Sequence, residues 1–330
     1  MNIEVLDCTL RDGGYVNNWK FGYQNIQYII NSLVTAKIDY IECGFLKDIV
    51  FDSDYSIFDD FKNVPVYNTN LKYALMVNYG DVDLEKIFKF DSSKFILRIA
   101  FKKEKSIEAI EYCEKLIKKG FSVFVNPMNT ISYSYLELLD LIKKINSIKP
   151  DTLTIVDTLG QMDKSDTLSL FYLFDKNLDK SISLGYHSHN NLAFSFSNVL
   201  AILEQNTNRN IIIDSSLFGM GRGAGNLQTE VLTQYLNDNC SKHYDLVQIL
   251  KTIQECINPI FAKTPWGISV PYRIAALNSC HPDYAKFLID RNVSVDKIDK
   301  ILKLVPMNSK DVFQSELIVE LYERAIKSLY

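Results

Sequence analysis

The chain has no paired cysteines. Its six stand alone at positions 8, 43, 113, 240, 256 and 280, with no CxxC among them. That spacing excludes a compact disulfide scaffold and fits a reducing cytoplasm. Cys8 and Cys43 fall in strand-like runs and are expected as buried apolar thiols. No run of 18 apolar residues occurs, so no transmembrane helix is expected. A strand signal starts within two residues of Met1, so no signal peptide is expected. No basic block is present either: 36 Lys and Arg are interspersed among 40 acids, for a net charge of -4. Nothing in that balance drives the protein toward nucleic acid or anionic lipid. An anionic substrate would need a local device, such as an arginine or a metal. Finally, no GxGxxG turn follows the first strand, which argues against a dinucleotide-binding open sheet.

What is present is an alternation. Apolar residues make up 47% of 330, enough for a large core. Strand-like runs occupy Ile3–Thr9, Ile38–Cys43, Tyr73–Val77, Phe95–Phe101, Phe121–Val125, Leu153–Asp157, Ser183–His189 and Ile211–Leu217. Amphipathic stretches lie between most of them, at Tyr23–Thr35, Ser106–Lys119, Ser134–Ile148, Lys164–Phe174 and Leu192–Gln205. Leu46–Lys62, rich in Asp and Phe, is the weakest segment and reads as partly helical. Eight strands, each with a crossover, predict a closed α/β TIM (β/α)8 barrel. Polar residues gather at the strand ends, where such barrels build their sites: Arg11, Asp12, Glu42, Asn126, Asp157, Thr158, His187, His189, Ser215 and Ser216. Asn226–Leu236 reads as the eighth helix. The expected organisation is a catalytic barrel over residues 1–240 and an α-helical C-terminal extension over 241–330.

Three stretches carry chemistry. The first, Leu6-Asp7-Cys8-Thr9-Leu10-Arg11-Asp12-Gly13-Gly14-Tyr15, ends a strand by aiming an arginine and an aspartate past two glycines. The second, Gly185-Tyr186-His187-Ser188-His189-Asn190-Asn191, spends two of the four histidines of the chain. Residues two apart on a strand share a face, so His187 and His189 can grip one metal together. With Asp12 they form two imidazoles and a carboxylate, suited to Mn²⁺, Mg²⁺, Fe²⁺ or Zn²⁺ with positions left open. The third, Phe218-Gly219-Met220-Gly221-Arg222-Gly223-Ala224-Gly225-Asn226, follows the last strand. It reads either as an anion cradle or as a tight turn. Asn226 at its end would cap the next helix or join the metal. Arg222 would bind a distal anionic group or stay solvated.

Together, LDCTLRDGG, GYHSHNN and GMGRGAGN resemble the DRE-TIM metallolyases over about residues 3–235. That superfamily includes 3-hydroxy-3-methylglutaryl-CoA lyase, 4-hydroxy-2-oxovalerate aldolase, and the isopropylmalate and homocitrate synthases. The resemblance is nearest to the oxovalerate aldolase branch. It implies a divalent metal, Mn²⁺ or Mg²⁺ first, on Asp12, His187 and His189, with Asn226 as a further ligand. It implies that Arg11 stabilises an enolate oxygen, that Glu42 orders the catalytic groups, and that the Thr158 hydroxyl meets a substrate carboxylate. Asn126 joins Thr158 as an expected substrate contact. Where the oxovalerate aldolases carry a catalytic histidine, this chain has Tyr15. Tyrosine is the poorer resting base, with a free pKa near 10 against about 6.5. The proton carrier is therefore Tyr15, a metal-bound water, or a tyrosine from the extension. Tyr284 is the candidate there, with His281 beside it as a helix cap.

The expected reaction makes or breaks a carbon–carbon bond through the enolate of a 2-oxo acid such as pyruvate, with an aldehyde as the other reactant. A Schiff-base route needs a lysine at a strand end, and Leu153–Asp157 has none. Two alternatives stand beside this reading. One is a Claisen-type synthase joining an acyl-CoA to a 2-oxo acid, which usually carries a Gln or Glu where Gly14-Tyr15 stands. The other is a barrel serving mainly as partner of a dehydrogenase through residues 241–330. A homodimer in the cytoplasm is the expected assembly.

Overall fold

A computed structural model describes residues 2–66 and 72–327. Nine strands form one sheet: β1 (Asn2–Asp7), β2 (Tyr40–Leu46), β3 (Ile57–Phe58), β4 (Lys72–Asn78), β5 (Phe95–Phe101), β6 (Ser122–Pro127), β7 (Thr152–Asp157), β8 (Ser183–Ser188) and β9 (Asn210–Ser215). All pairings are parallel, and β1 bonds to both β9 and β2. The sheet therefore closes on itself as an eight-stranded barrel, with β3 hanging on β2 outside the ring. Each of the eight strands expected from the sequence is present, displaced by at most a few residues. The helices Tyr23–Thr35, Ser106–Lys118, Tyr135–Ile148, Lys164–Asn177, Ser195–Leu203 and Thr229–Asn239 fill the crossovers. Two begin with a reciprocal cap: Ser134 with Glu137, and Asp163 with Asp166.

Leu46–Lys62 differs from expectation. It is mostly irregular, and carries β3 and one short 3-10 turn at Phe61–Asn63. The cause is a bulge in β2 between Glu42 and Phe45. There Gly44, at φ +148°, lets the Ser56 carbonyl approach so closely that a Cβ would lie 2.0 Å from it. Local periodicity cannot announce a strand held by such a distant contact.

Side-chain alternation sorts the strands into two cores. Val5, Ile41, Leu75, Leu97, Val123, Leu153, Leu184 and Ile213 face the helices in the main apolar cluster. Leu6, Cys8, Tyr40, Ala74, Ile96, Phe124 and Ile212 fill the barrel interior. Above that plug, the inward positions turn polar and charged.

The residues after the barrel are helical, as expected, through Lys327. Residues 328–330 lie outside the described ones. Ile249, Ile253, Cys256 and Ile257 pack into the barrel's own cluster. A second cluster starts at Ala275 and joins the helices Val270–Leu277, Pro282–Ile289, Val295–Lys303 and Ser315–Lys327. No helix among the described residues is long and apolar enough to cross a membrane.

Candidate active site

The turn after β1 folds back on itself. The amides of Arg11 and Asp12 both donate to the Cys8 carbonyl, at 3.1 and 2.8 Å. The Leu217 amide donates to the Thr9 hydroxyl, which ties this turn to the loop after β9. Asp12 is thereby held against β8. Its carboxylate and the rings of His187 and His189 offer donor atoms all within 4.8 Å of one another. His187 is oriented by Asp214, whose carboxylate meets Nδ1 at 3.0 Å and leaves Nε2 for a ligand. His189 Nε2 lies 3.7 Å from Asp12 Oδ2. Asn226 donates from Nδ2 to Asp12 Oδ2 at 2.6 Å, while its Oδ1 is buried without a partner. Two imidazoles, a carboxylate and an orphaned amide oxygen are the donor set of a hard or borderline divalent cation, so these residues fit one.

The glycine-rich loop serves this geometry as a spacer. A Cβ on Gly221 would stand 2.5 Å from Asn226 Nδ2 and 3.0 Å from Asp12 Oδ2. Asn226 does not cap the next helix: Gln228 occupies that place. The oxygen of Asn226 is free for another task.

Behind the ligands runs a chain of buried charges of alternating sign. Asp12 accepts from Arg11 Nη1 at 2.5 Å. Arg11 Nε donates to Glu42 Oε2 at 2.8 Å. The same oxygen lies 3.1 Å from Arg98 Nη1. Arg98 Nη2 donates to Asp214 at 2.5 Å, and Asp214 returns to His187. Burial works against the charge of Asp12, but Arg11 and the two histidines outweigh it and hold its carboxyl well below the usual range. Burial likewise opposes the charge of Asp214, where Arg98 and His187 prevail and lower it. Burial pushes His189 down to about 3, so its ring is neutral and ready to ligate. Sequence reading passed over Arg98 and Asp214. Their signal was a single charge inside the apolar runs Phe95–Phe101 and Ile211–Asp214.

The ligands open onto a cavity of about 80 Å³. Arg11, Asp12, Tyr15, Asn126, Thr158, His187 and His189 line it, as does Arg222. Phe45, Met76, Ala100 and Met128 form an apolar side. No lysine lines it. Arg98 lines it too, and Glu42 sits beneath, paired with Arg11 and Arg98. Thr158 Oγ1 accepts from the Asn129 amide at 2.8 Å, which leaves its hydrogen free to donate. The Asn126 amide is already engaged, accepting from Arg98 and donating to the Phe124 carbonyl. Tyr15 is 36% exposed at the mouth. Its ring meets Trp19 edge-on at 4.8 Å and carries the Arg222 guanidinium at 3.8 Å.

Tyr284 requires a correction. It is fully buried in the second apolar cluster, with its hydroxyl on the Ser309 and Val312 carbonyls, and does not line the cavity. Helical spacing puts Tyr284, Ala285 and Leu288 on one inward face. From that segment His281 reaches the site instead. It opens the helix Pro282–Ile289, as expected, and its Nε2 lies 2.5 Å from Arg222 Nη1.

The HMGL-like family model matches residues 74–256. A 4-hydroxy-2-oxovalerate aldolase from Geobacillus genomosp. 3 is 25% identical over 266 residues, 78% of this chain and 77% of that protein. An oxaloacetate decarboxylase from Mycobacterium tuberculosis is 27% identical over 240 residues, covering 70% of this chain and 69% of its own. The N-terminal domain of a candidate aldolase from Bacteroides vulgatus superposes with a TM-score of 0.71 at 25% identity, over 87% of this chain and 96% of that one. The carboxyl transferase domain of Rhizobium etli pyruvate carboxylase, solved with pyruvate, shares the fold at 11% identity and a TM-score of 0.71, over 98% of this chain and 61% of that one.

Proposed function

The chain belongs to the HMGL-like family, and from that premise we propose that it is a divalent-metal-dependent aldolase or carbon–carbon lyase working through the enolate of a pyruvate-like 2-oxo acid. The observation that carries this reading is the convergence of Asp12, His187 and His189 beside the orphaned oxygen of Asn226. These four would hold the metal, with Mn²⁺ or Mg²⁺ the first choices. When bound, the metal supplies Lewis-acid polarisation of the 2-oxo carbonyl.

The remaining work falls to the chain's own groups. Arg11, fixed by Glu42 and Asp12, presents positive charge where the enolate oxygen develops, and needs no reorganisation to do so. Glu42 acts through Arg11 and Arg98 as an orienting group. The free hydrogen of Thr158 suits the substrate carboxylate, and Asn126 contributes by keeping Arg98 in place. Phe45, Met76, Ala100 and Met128 exclude water from the carbon side. In cleavage, the C4 hydroxyl gives its proton to a base and becomes an aldehyde. The C3–C4 bond breaks, its electron pair stays on the pyruvate half as enolate, and C3 is then reprotonated. Nothing is oxidised or reduced. Tyr15, at the mouth, is our candidate for the proton at the C4 oxygen. The absence of lysine from the lining supports this route over a Schiff base.

The same enolate arises when a 2-oxo diacid loses carbon dioxide, the reaction named for the Mycobacterium relative. A screen with oxaloacetate and with pyruvate plus aldehydes separates the two. The founding test is exchange of the pyruvate methyl protons for deuterium by Mn²⁺-loaded protein. Exchange should occur with wild type and vanish in His187→Ala. Wild-type protein that binds no divalent metal would sink the proposal. A dehydrogenase partner and a homodimer belong to this proposal as well; co-elution from size exclusion tests both.

A further inference from the structure

Three arginines line the cavity, and their pairing differs. Arg11 is bound to Asp12 and Glu42, and Arg98 to Glu42 and Asp214. Arg222 makes no ion pair among the described residues. It rests on the face of Tyr15 and against the Nε2 of His281, and it also borders an outer pocket with Asn18, Asp283 and Asp290. An arginine can only donate, so this contact requires a bare Nε2 on His281; the one ring proton then sits on Nδ1, 3.2 Å from the Asp283 amide and 3.7 Å from the Asp283 carboxylate. Burial first, and then Arg222 itself, push His281 down to about 3. The imidazole is therefore neutral. It fixes the direction of the guanidinium without cancelling its charge. Its own position is set by the amide of His281 donating to the Lys310 carbonyl at 2.6 Å. One N–H goes to His281, which leaves four donors of a planar fork without an acceptor among the described residues.

Arg11 and Arg98 spend their charge on Asp12, Glu42 and Asp214, whereas Arg222 has no carboxylate partner among the described residues. A charge held partly out of water favours a partner of opposite sign.

We infer that Arg222 is a specificity residue whose guanidinium, aimed by His281, receives a second anionic group of the substrate, so that the aldehyde half carries a carboxylate or a phosphate. This rests on the enolate reading above. It also weighs against decarboxylation, because an arginine that holds a departing carboxylate stabilises the ground state it must leave. The extension thereby gains a role: His281 is the positioning residue through which it acts on the site.

The test compares matched pairs with Mn²⁺-loaded protein. By calorimetry, 2-oxoglutarate and 2-oxoadipate should bind roughly 10- to 100-fold tighter than 2-oxopentanoate, as charge-assisted hydrogen bonds warrant. In turnover with pyruvate, succinic semialdehyde should outrun butanal in kcat/KM by a similar factor. Glyceraldehyde 3-phosphate against glyceraldehyde separates phosphate from carboxylate. Arg222→Met should collapse these ratios toward one. His281→Asp supplies a favoured helix cap but sets a carboxylate beside the guanidinium, so it should collapse them too while thermal stability holds. The loss should appear in KM for the anionic aldehyde far more than in kcat. Equal binding of mono- and diacids by wild type, or a preference that survives Arg222→Met, would overturn the inference. Failure of wild type to exchange pyruvate protons would instead strike the enolate reading beneath it.

Discussion

Replacing Arg98 by Met tests the logic of the buried charge chain most directly. Arg98 is 1% exposed, and its two carboxylate partners, Glu42 and Asp214, are 0% and 3% exposed. Met fills much of the volume but leaves Glu42 with only Arg11 and Asp214 with only His187. Removing one partner of a buried pair costs about 3–5 kcal/mol, because the charge left behind has lost its compensation. Unfolding entropy is roughly 0.7 kcal/mol/K for a chain of this size, so Tm should fall by about 6 °C. A second readout carries more weight. Asp214 orients His187, and losing such support typically lowers metal affinity by roughly 10- to 100-fold. Chemical denaturation gives the first quantity. Calorimetric Mn²⁺ titration of the folded variant, below its transition, gives the second. If stability falls but metal affinity is unchanged, the chain of charges is a packing device and does not tune the ligands. If neither moves, the reading of Arg98 is wrong altogether.

Three further outcomes are expected. Tyr15→Phe should lower aldol cleavage by roughly 10²- to 10⁴-fold, the range for a lost acid–base group, with far less effect on Mn²⁺ binding; a variant at wild-type rate would move the proton role elsewhere. Tyr284→Phe should cost about 1–3 kcal/mol of stability by stranding the buried Ser309 and Val312 carbonyls, with kcat unchanged; a kinetic defect in stable protein would return Tyr284 to the chemistry. Burial lifts the Glu230 carboxyl from 4.5 to about 7. The folded state thus holds this proton more tightly than the unfolded state does. The resulting stability is present below about pH 4.5 and is lost as pH rises through 7, on the order of 3 kcal/mol. Asp7, raised to about 6 by burial, acts in the same direction. Denaturation midpoints between pH 5 and 8 should therefore decline less steeply in Glu230→Gln than in wild type; parallel slopes would refute the assignment.

The barrel was legible because each strand is a short apolar run bounded by polar ends, and each long crossover has helical periodicity. The convergence of Asp12, His187 and His189 was legible because the two histidines are two apart on one strand, and because Asp12 sits in a turn of unusual composition. What escaped reading was whatever depended on distant chain. Arg98 and Asp214 look like interruptions of a strand until the ring closes and brings them to Glu42 and His187. Ile57–Phe58 is a strand through its approach to Gly44. Tyr284 was misjudged because resemblance put a tyrosine in the right segment, whereas helical phase turned it inward and left His281 facing Arg222. Asn126, read as a substrate contact, lines the cavity, and its amide also accepts from Arg98 and donates to the Phe124 carbonyl.

Gly221 and Arg222 are neighbours with opposite tolerances. At 221 any side chain would press on Asn226 and Asp12, so the position has a single permitted solution. At 222 the side chain projects into open cavity and meets His281, at the start of a helix in the C-terminal extension some sixty positions away. The chemistry and the choice of substrate are thus written in adjacent letters but answer to different parts of the molecule. A change of aldehyde can begin at 222 or 281, leaving the bond-breaking apparatus intact, and a laboratory seeking new products from this barrel would vary those two positions first.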